Sequence, residues 1–493
     1  PLVDISQHNV SLSAVNMLPE VQARRHRALV LEDKGDRLLV AMSDPADLAA
    51  IDVLSGLLPK PIDVAVVSDT QLIQAYDDFY RRTEEIASFA QELAEEYQDE
   101  AEFDFDTGVG DEQDTVVARL LQSIFEDAVQ AKASDIHIEP DEASLRIRMR
   151  VDGVLQENVI QEKNIASALV LRLKLMSGLD ISEKRLPQDG RTSVRIKGHA
   201  IDVRVSTMPI QAGESVVMRL LDQSAGLLTL DQTGMPNNLL TRFRSLLHRP
   251  HGMILVTGPT GSGKTTTLYG ALSELNKAAS KIITVEDPVE YRLPRINQVQ
   301  TNNKIGLNFS NVLRTTLRQD PDIIMVGEMR DQETAEIGLR GALTGHLVLS
   351  TLHTNNAISS AVRLLDMGAP GYLVASSLRA VVAQRLVRKI CDNCSEAYQL
   401  NSEELLWLNS LDNNLQAIKF KRGKGCQTCN KTGYKGRIGV FELLEMTESM
   451  MNALKLNDTG TFSQAAQKSP GFVPLAKVAL MYAKMGITTV DEV

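Results

Sequence analysis

Four mainly apolar runs in the middle of the chain are each followed by polar residues. The runs are Gly252–Thr257, Lys281–Val285, Asp322–Val326 and Leu347–Leu352. Continuous apolar runs of this length are typical of strands in a parallel sheet that is covered on both faces. Because ligands bind at the carboxyl ends of the strands in such sheets, the polar residues after the runs are candidates for one common site. The pattern predicts an α/β domain with a site at one edge of its sheet.

Two other patterns precede this region. Residues 1–80 alternate between short strands and helices and predict a small mixed α/β domain, which we expect to dock a partner because it holds no catalytic constellation. From residue 115 the pattern predicts an α+β domain with two helices and five strands. The helices are Thr115–Ala131 and Ile165–Ser177, and the strands are Asp135–Glu139, Ser144–Arg150, Arg191–Ile196, Ala200–Ser206 and Ser215–Leu221.

The length of 493 residues exceeds what one hydrophobic core supports, so we expect three or four domains. Hydrophobic residues make up 43% of the chain and charged residues 23%, as in globular proteins. No apolar stretch approaches the roughly 20 residues that span a bilayer. Residues 1–10 also lack the basic start and apolar stretch of a secretory signal, so we expect an intracellular protein.

The net charge of −11 is concentrated in one segment. Thr83–Asp114 holds thirteen acidic residues and no Lys or Arg, which leaves 52 basic and 50 acidic residues elsewhere. The overall acidity therefore says little about binding to polyanions. Uncompensated charge is typical of an extended or only partly helical chain, so we predict an acidic linker at residues 81–114.

The segment Gly258–Thr265, directly after the first apolar run, matches the eight-position phosphate loop. This motif ends in a Lys-Thr pair, at which a helix begins. Its glycines let backbone N–H groups point at phosphate oxygens, and the positive end of the helix adds to the attraction. We expect Lys264 to contact the β- and γ-phosphates of ATP and Thr265 to ligate Mg²⁺. An ordinary glycine-rich turn is the alternative. The predicted nucleotide-binding residues are Gly258, Pro259, Thr260, Gly261, Ser262, Gly263, Lys264, Thr265 and Thr266.

The polar residues after the other three runs are candidate catalytic groups. Glu328 is expected to orient or deprotonate the attacking water, and an acid at a helix N-terminus is the alternative. Glu286 and Asp287 are less specific candidates for the same work. His353 is a candidate sensor of the γ-phosphate or link to a neighbouring subunit, although a single His at a strand end is more often structural.

All four cysteines lie in two pairs, Cys391-x-x-Cys394 and Cys426-x-x-Cys429. In a reducing compartment, two such pairs predict a tetrahedral Zn²⁺ site of four thiolates, and disulfides are the alternative. We expect the segment between the pairs to loop out.

The most basic stretch of the chain, Lys419–Arg437, has seven basic residues and no acid. A contact with anionic lipid headgroups and a plain solvated loop both remain open. The pattern from Phe441 to Val493 predicts packed helices.

Several of these segments resemble the motifs of the secretion superfamily ATPases. Thr257–Thr266, Ile283–Arg292, Val326–Asp331 and Thr344–Thr354 resemble that family's phosphate loop, aspartate box, second acidic motif and histidine box. Ala133–Pro140 and Arg185–Arg191 are similar to its upstream domain. With the four cysteines, the resemblance narrows to the type II secretion ATPases, the GspE or EpsE group, and the pilus-assembly ATPases.

The resemblance implies a homo-hexameric motor that uses ATP, Mg²⁺ and Zn²⁺ on the cytoplasmic side of the inner membrane of a Gram-negative bacterium. It implies that ATP hydrolysis drives growth of a pseudopilus and export of folded proteins, with pilus assembly as the alternative. The implied domains are 1–80, which binds the cytoplasmic part of a bitopic inner-membrane secretion protein; the linker 81–114; a PAS-like α+β domain, 115–225; a RecA-like ATPase domain, 226–388; a zinc subdomain, 389–438; and a helical subdomain, 439–493.

Arginines that neutralise the γ-phosphate come from the upstream domain in this family. The resemblance places them at Arg204 and Arg219. Arg314 and Arg318, four residues apart on one predicted helical face, and Arg330 are the alternatives.

Two other functions use the same ATP chemistry. A nucleic-acid translocase needs aromatic residues that stack on bases, and because only 4% of the chain is aromatic, no nucleic acid is expected. A kinase would pass the γ-phosphate to an acceptor, and the fate of labelled phosphate would distinguish it from a hydrolase.

Overall fold

The computed structural model describes most of the chain as two compact units. The described residues are 3–5, 8, 10–80, 83–96, 116–196, 199–222, 228–412 and 418–493. The first unit consists of Pro1–Ala225, Cys391–Cys394 and Lys424–Gly433. The second consists of Gly226–Ile390, Ser395–Gly423 and Tyr434–Val493. Among the described helices, none is both long enough and apolar enough to cross a bilayer.

The first unit opens with a three-stranded sheet and its helices. Its elements are α1 (Leu12–Val15), α2 (Glu20–Arg25), β1 (Ala28–Asp33), β2 (Leu38–Met42), α3 (Leu48–Leu57), β3 (Ile62–Val66) and α4 (Asp69–Phe79). The central strand β2 is buried at every position and pairs with β1 antiparallel and with β3 parallel. Helix α3 buries Ala50 and Leu54 but exposes Leu48, Val53 and Leu57.

A helix begins the acidic segment that the sequence predicts to be a linker. Helix α5 (Thr83–Glu96) packs against α6 (Val116–Gln130) and buries Ile86, Ala90 and Leu93. These residues recur at the spacing of one helix face, so the apolar burial outweighs the charge of the segment. The first half of the segment is therefore part of the core and not a linker. The rest of the predicted linker lies outside the described residues.

A six-stranded antiparallel sheet forms the rest of the first unit. Its elements are β4 (Asp135–Pro140), β5 (Leu145–Val151), β6 (Val154–Ile160), α7 (Ala166–Met176), β7 (Gln188–Ile196), β8 (His199–Ile210) and β9 (Gly213–Asp222). The strand order is β6-β5-β4-β9-β8-β7. Leu145, Ile147 and Met149 of β5 are buried while the arginines between them are half-buried. One face of the sheet thus meets the core, as the predicted α+β pattern requires. Strand β6 was not predicted from the sequence.

The second unit is an α/β domain with C-terminal helices. Its helices are α8 (Asn237–Leu247), α9 (Lys264–Leu275), α10 (Phe309–Thr316), α11 (Gln332–Leu343), α12 (Ala357–Asp366), α13 (Gly371–Ser377), α14 (Ser402–Leu411), α15 (Glu448–Lys455), α16 (Thr459–Gln467) and α17 (Leu475–Lys484). Its strands are β10 (Gly252–Thr257), β11 (Ile282–Glu286), β12 (Asn297–Gln300), β13 (Ile323–Val326), β14 (Leu347–Leu352), β15 (Leu378–Ile390), β16 (Ser395–Tyr398), β17 (Phe420–Gly423) and β18 (Tyr434–Glu445).

Seven of these strands form one sheet in the order β12-β11-β13-β14-β10-β15-β18. All neighbouring strands are parallel except β15 and β18, which are antiparallel. Strand β10 is buried at every position. Met253 and Leu255 belong to one apolar cluster and Ile254 and Val256 to another, because successive side chains point to opposite faces of a sheet. The predicted burial on both faces is confirmed.

The C-terminal region differs from the prediction of packed helices. Strand β18 extends the large sheet as far as Glu445, so the helices begin only at Glu448. The segment between the cysteine pairs contains α14 and is closed by the antiparallel strands β16 and β17.

A buried carboxylate fastens two helices to β18. Glu442 accepts hydrogen bonds from the backbone N–H of Ala357, the first residue of α12, and of Leu475, the first residue of α17. Burial raises the pKa of Glu442, and the two N–H donors and Arg385 oppose that rise. One side chain thus satisfies orphan donors at two helix N-termini.

Candidate active site

The carboxyl ends of four parallel strands meet at one edge of the large sheet. Strand β10 leads into the phosphate loop, and β11, β13 and β14 lead into the other three polar segments. The hydroxyl groups of Thr257 and Thr354 lie 2.5 Å apart and join the first of these segments to the last. Thr257 also donates to the carbonyl of Leu352 at 3.0 Å. The strand ends that the sequence predicts to converge therefore do so.

The phosphate loop has a backbone that only glycine can supply at two positions. Gly258 has φ 151° and Gly263 has φ 87°, both in the region that favours glycine. A Cβ on Gly258 would lie 2.4 Å from the carbonyl oxygen of Gln384, and one on Gly263 would lie 2.7 Å from its Nε2. The hydroxyl of Ser262 is buried without a hydrogen-bond partner among the described residues. A tightly packed cradle with an unsatisfied donor fits a phosphate.

Lys264 is buried at the start of α9. Its Nζ donates to the carbonyls of Gly258 at 2.7 Å and Pro259 at 3.0 Å. Burial lowers the pKa of Lys264; the charge of Glu328 opposes that shift and the charge of Arg385 adds to it. The ammonium group is thus held inside the loop, next to one carboxylate and one guanidinium.

Glu328 is the centre of a second group of charged residues. Its Oε2 lies 3.2 Å from Nε2 of His353, and its other oxygen forms an ion pair with Arg330. Arg330 also lies 4.0 Å from a carboxylate oxygen of Asp287. The structure therefore brings together three of the residues predicted to be catalytic, and Arg330 bridges two of them, Glu328 and Asp287.

Glu286 lies apart from that group. Its carboxylate is buried and accepts hydrogen bonds from Tyr269, Thr284 and Gln298, the last at 3.2 Å. Burial raises the pKa of Glu286, and these three donors oppose the rise. Because Tyr269 lies on α9 and Gln298 on β12, the buried carboxylate of Glu286 links α9 to β12. Glu286 and Asp287 were both predicted as catalytic candidates, but only Asp287 contacts the charged residues around Glu328, through Arg330.

Two residues of β15 that lie at the site, Gln384 and Arg385, were not predicted from the sequence. Gln384 Oε1 accepts a hydrogen bond from the hydroxyl of Thr267 at 2.7 Å, and Arg385 Nη2 donates to the carbonyl of Asn355 at 3.0 Å. The apolar run Ala380–Ala383 is a signal that could have revealed this strand. Its position beside β10 could not be read locally, because the two strands are distant in sequence.

The predicted arginines lie in the first unit. Arg204 and Arg219 are directly opposite each other on β8 and β9, and Arg219 Nε donates to Asp135 at 3.0 Å. Among the alternatives, Arg314 forms an ion pair with Glu333. Arg318 lies two residues beyond the end of α10, and its Nη1 donates to the carbonyl of Arg314 at 3.1 Å.

The four cysteines form a compact cluster. Their sulfur atoms all lie within 4.8 Å of one another, and three pairs are 3.7 to 3.8 Å apart. A tetrahedral Zn²⁺ with Zn–S bonds of about 2.3 Å requires sulfur atoms about 3.8 Å apart, whereas a disulfide requires about 2.0 Å. The cluster therefore fits Zn²⁺ and not the disulfide alternative. The four ligands are Cys391, Cys394, Cys426 and Cys429.

Backbone N–H groups surround two of the sulfur atoms. Gly425 donates to Cys394 at 3.3 Å, and Cys426 and Gly433 each donate to Cys429 at 3.2 Å. Burial raises the pKa of Cys394 to about 11. Burial has the same effect on Cys429, but its N–H donors and neighbouring thiols lower the pKa overall. Donors aimed at sulfur favour the thiolate, which is the form that binds metal.

Comparison with known proteins decides the family. Residues 110–493 match the sequence profile described as type II/IV secretion system protein. The chain belongs to this family. Residues 1–86 match a second profile, the MshEN domain. The resemblance predicted from the sequence is confirmed, and as a member of this family of secretion ATPases the chain is an ATP hydrolase.

Relatives of this secretion family are similar along nearly the whole chain. The type II secretion system protein E of Dickeya dadantii (strain 3937) is 42% identical over 494 residues, which cover 97% of this chain and 96% of that protein. The type IV pilus assembly ATPase PilB of Myxococcus xanthus (strain DK1622) is 40% identical over 499 residues, which cover 100% of this chain and 88% of that protein.

A solved structure supports the fold. The crystal structure of the pilus retraction motor PilT with bound ADP is 27% identical, with a TM-score of 0.51, and the match covers 76% of this chain and 95% of that one. The predicted fold class is confirmed. The family uses ATP and Mg²⁺. The exposed Thr265 hydroxyl and the Glu328 carboxylate are oxygen groups of the kind that Mg²⁺ prefers, so these residues fit the ion.

Proposed function

We propose that this secretion ATPase hydrolyses ATP to drive pseudopilus assembly and the export of folded proteins across the outer membrane by type II secretion. The observation that carries the proposal is the convergence of the phosphate loop with the Glu328–His353 pair at one sheet edge. This arrangement occurs in a chain that is 42% identical to a type II secretion system protein E.

The residues of the site divide the work of hydrolysis. Backbone N–H groups of the loop and the ammonium of Lys264 hold the β- and γ-phosphates. Glu328 orients the attacking water and accepts its proton, while His353, at 3.2 Å, fixes the carboxylate. The Thr265 hydroxyl would hold Mg²⁺, which would supply positive charge to neutralise the phosphates. Asp287 positions Arg330 beside Glu328.

Type IV pilus assembly is the second candidate, favoured by the 40% identity to PilB. Complementation separates the two. The chain would be expressed in one strain that lacks its secretion ATPase and in another that lacks its pilus-assembly ATPase, with Lys264→Ala as the inactive control. Restored export of folded proteins supports type II secretion, and restored pili without export supports the alternative.

We also propose that the chain works as a homo-hexamer on the cytoplasmic face of the inner membrane. Arg204 and Arg219 are proposed to complete the site of a neighbouring copy. Their direct juxtaposition on β8 and β9 supports a shared role, because two opposed cations attract one anionic group. The boundaries of the PAS-like domain at 115–225, the RecA-like domain at 226–388 and the zinc subdomain at 389–438 are part of this proposal.

Residues 1–80 are proposed to bind the cytoplasmic part of a bitopic inner-membrane secretion protein. Helix α3 supports this, since Leu48, Val53 and Leu57 are exposed on a helix with a single charged residue. Exposed apolar side chains grouped on one helix mark interaction surfaces. Replacing Leu48 and Leu57 with Asp in the full chain should abolish co-purification with such a protein while leaving ATP hydrolysis intact.

A further inference from the structure

Strand β15 runs past the point at which β10 becomes the phosphate loop. Thr257, the last residue of β10, is opposite Ala383, so Gln384 and Arg385 lie immediately beyond that point. Successive side chains of a strand point to opposite faces of the sheet. The side chains of Gln384 and Arg385 can therefore contact segments on opposite faces of the sheet, next to the phosphate loop.

Gln384 holds the helix side of the phosphate loop. Its Oε1 accepts from the hydroxyl of Thr267, in the first turn of α9, at 2.7 Å. Its backbone carbonyl packs against Gly258, where a Cβ would lie 2.4 Å away. Residue 384 thus fixes both the first residue of the loop and the helix that follows it.

Arg385 forms hydrogen bonds to the loop that follows β14. Its Nη2 donates to the carbonyl of Asn355 at 3.0 Å and to the side-chain Oδ1 of the same residue at 3.2 Å. Strands β14 and β15 flank β10 on its two sides, so this contact spans the end of β10. Asn355 is two residues after His353, which lies 3.2 Å from Glu328.

The guanidinium of Arg385 is half-buried, and its charge affects the pKa of Lys264 in the phosphate loop. Burial lowers the pKa of Arg385, and Glu442 opposes that shift. The charge of Arg385 in turn lowers the pKa of Lys264. Arg385 is thus close to the phosphate loop as well as bonded to the segment that carries His353.

We propose that Arg385 is a positioning residue for ATP hydrolysis, which holds Asn355 so that His353 stays against Glu328 beside the phosphate loop. The proposal rests on the proposed function of the Glu328–His353 pair. Because Arg385 acts on the geometry of hydrolysis through Asn355, its loss should reduce kcat and leave nucleotide affinity nearly unchanged.

The experiment measures kcat and KM for ATP, and the Kd of a fluorescent ADP analogue, in Arg385→Gln, Asn355→Ala and the double variant. For Arg385→Gln we expect kcat to fall by about 10- to 100-fold, the scale of a misplaced catalytic group, with the Kd within about threefold of wild type. Because the two residues act as a unit, the double variant should lose no more than Arg385→Gln alone.

The matched control is Arg379→Gln. Arg379 is a half-buried arginine at the start of the same strand, and its Nη1 donates to the carbonyl of Ser376 at 3.0 Å. Its kcat should stay within about twofold of wild type, since it lies outside the site. If Arg385→Gln does not fold, as judged by its thermal transition, the exposed Asn355→Ala variant decides alone: a lowered kcat with unchanged affinity supports the proposal.

Three results would overturn it. A loss confined to KM and Kd would make Arg385 a direct phosphate-binding group. Multiplicative losses in the double variant would show that Arg385 and Asn355 act independently. Wild-type kcat in Asn355→Ala or Arg385→Gln would remove the role altogether. Failure of the proposed function is distinguishable, because Glu328→Gln would then retain wild-type turnover whatever Arg385 does.

Discussion

Replacing Glu328 with Gln tests the chemistry of the site most directly. The amide keeps the shape of the carboxylate but removes its charge and its ability to accept a proton. Glu328 is only 15% exposed, and its partners are His353 at 3.2 Å and Arg330. The substitution therefore removes a negative charge that has two positively charged or protonatable neighbours.

The magnitude follows from what the carboxylate is proposed to do. General-base catalysis contributes about 10²- to 10⁴-fold to a rate, so kcat should fall by that factor, or roughly 3–5.5 kcal/mol in the barrier. The phosphate loop stays intact, so ATP should remain bound. Without Glu328 the burial that lowers the pKa of Lys264 loses the opposing charge of that carboxylate, but the phosphates of bound ATP supply negative charge in its place.

The assay compares ATP occupancy on the protein with single-turnover hydrolysis of labelled ATP. Glu286→Gln is the matched control, because it is the same change at the end of a neighbouring strand. Since Glu286 is bonded in a buried network, we expect about 1–3 kcal/mol of lost stability and a kcat within about threefold of wild type. Turnover by Glu328→Gln within threefold of wild type, or a collapse of turnover in Glu286→Gln alone, would refute the assignment.

Other outcomes follow from the same structure. Lys264→Ala should abolish hydrolysis with an unchanged far-UV circular dichroism spectrum, because Lys264 stabilises charge on the transferring phosphate. The reduced protein should contain one Zn²⁺ per chain by metal analysis, with a binding free energy of roughly 10–16 kcal/mol, and Cys394→Ser should lose it. A mixture of Lys264→Ala and Arg219→Ala chains should recover activity that neither has alone if Arg219 acts across subunits; verified co-assembly without recovery contradicts this. If the basic stretch Lys419–Arg437 contacts anionic lipid headgroups, neutralising Lys419 and Lys421 should weaken binding to anionic vesicles by about 1 kcal/mol per residue, and unchanged binding would favour a plain solvated loop.

The sequence predicts the parts of this fold that local patterns specify. Strands β10, β11, β13 and β14 carry continuous apolar runs, and each ends at a polar segment, so both the strands and the meeting of their ends could be foreseen. Strand β18 could not, because its first residues lie in the basic stretch and its partner β15 precedes it by more than forty residues. Pairing over such a distance leaves no local signature.

The acidic segment shows how composition can mislead. Its net charge predicts an extended chain, but Ile86, Ala90 and Leu93 give α5 one apolar face, and α6 covers it. The choice between Glu286 and Asp287 was beyond the sequence for a different reason. Adjacent residues at a strand end point in different directions, and only the fold tells which one meets the buried network of Tyr269 and Gln298.

The carboxylate of Glu442 links α17, near the end of the chain, to α12, the helix that follows the histidine box. A chain cut before Leu475 would lose one of the two N–H groups that hold this buried charge. The loss would remove a contact that lowers the pKa of Glu442, so the truncated chain would bind a proton that the unfolded chain releases. Its stability should then fall as the pH rises above the ordinary range of glutamate. The N–H of Ala357 would still donate to Glu442, so the pH dependence would reach the helix after the histidine box.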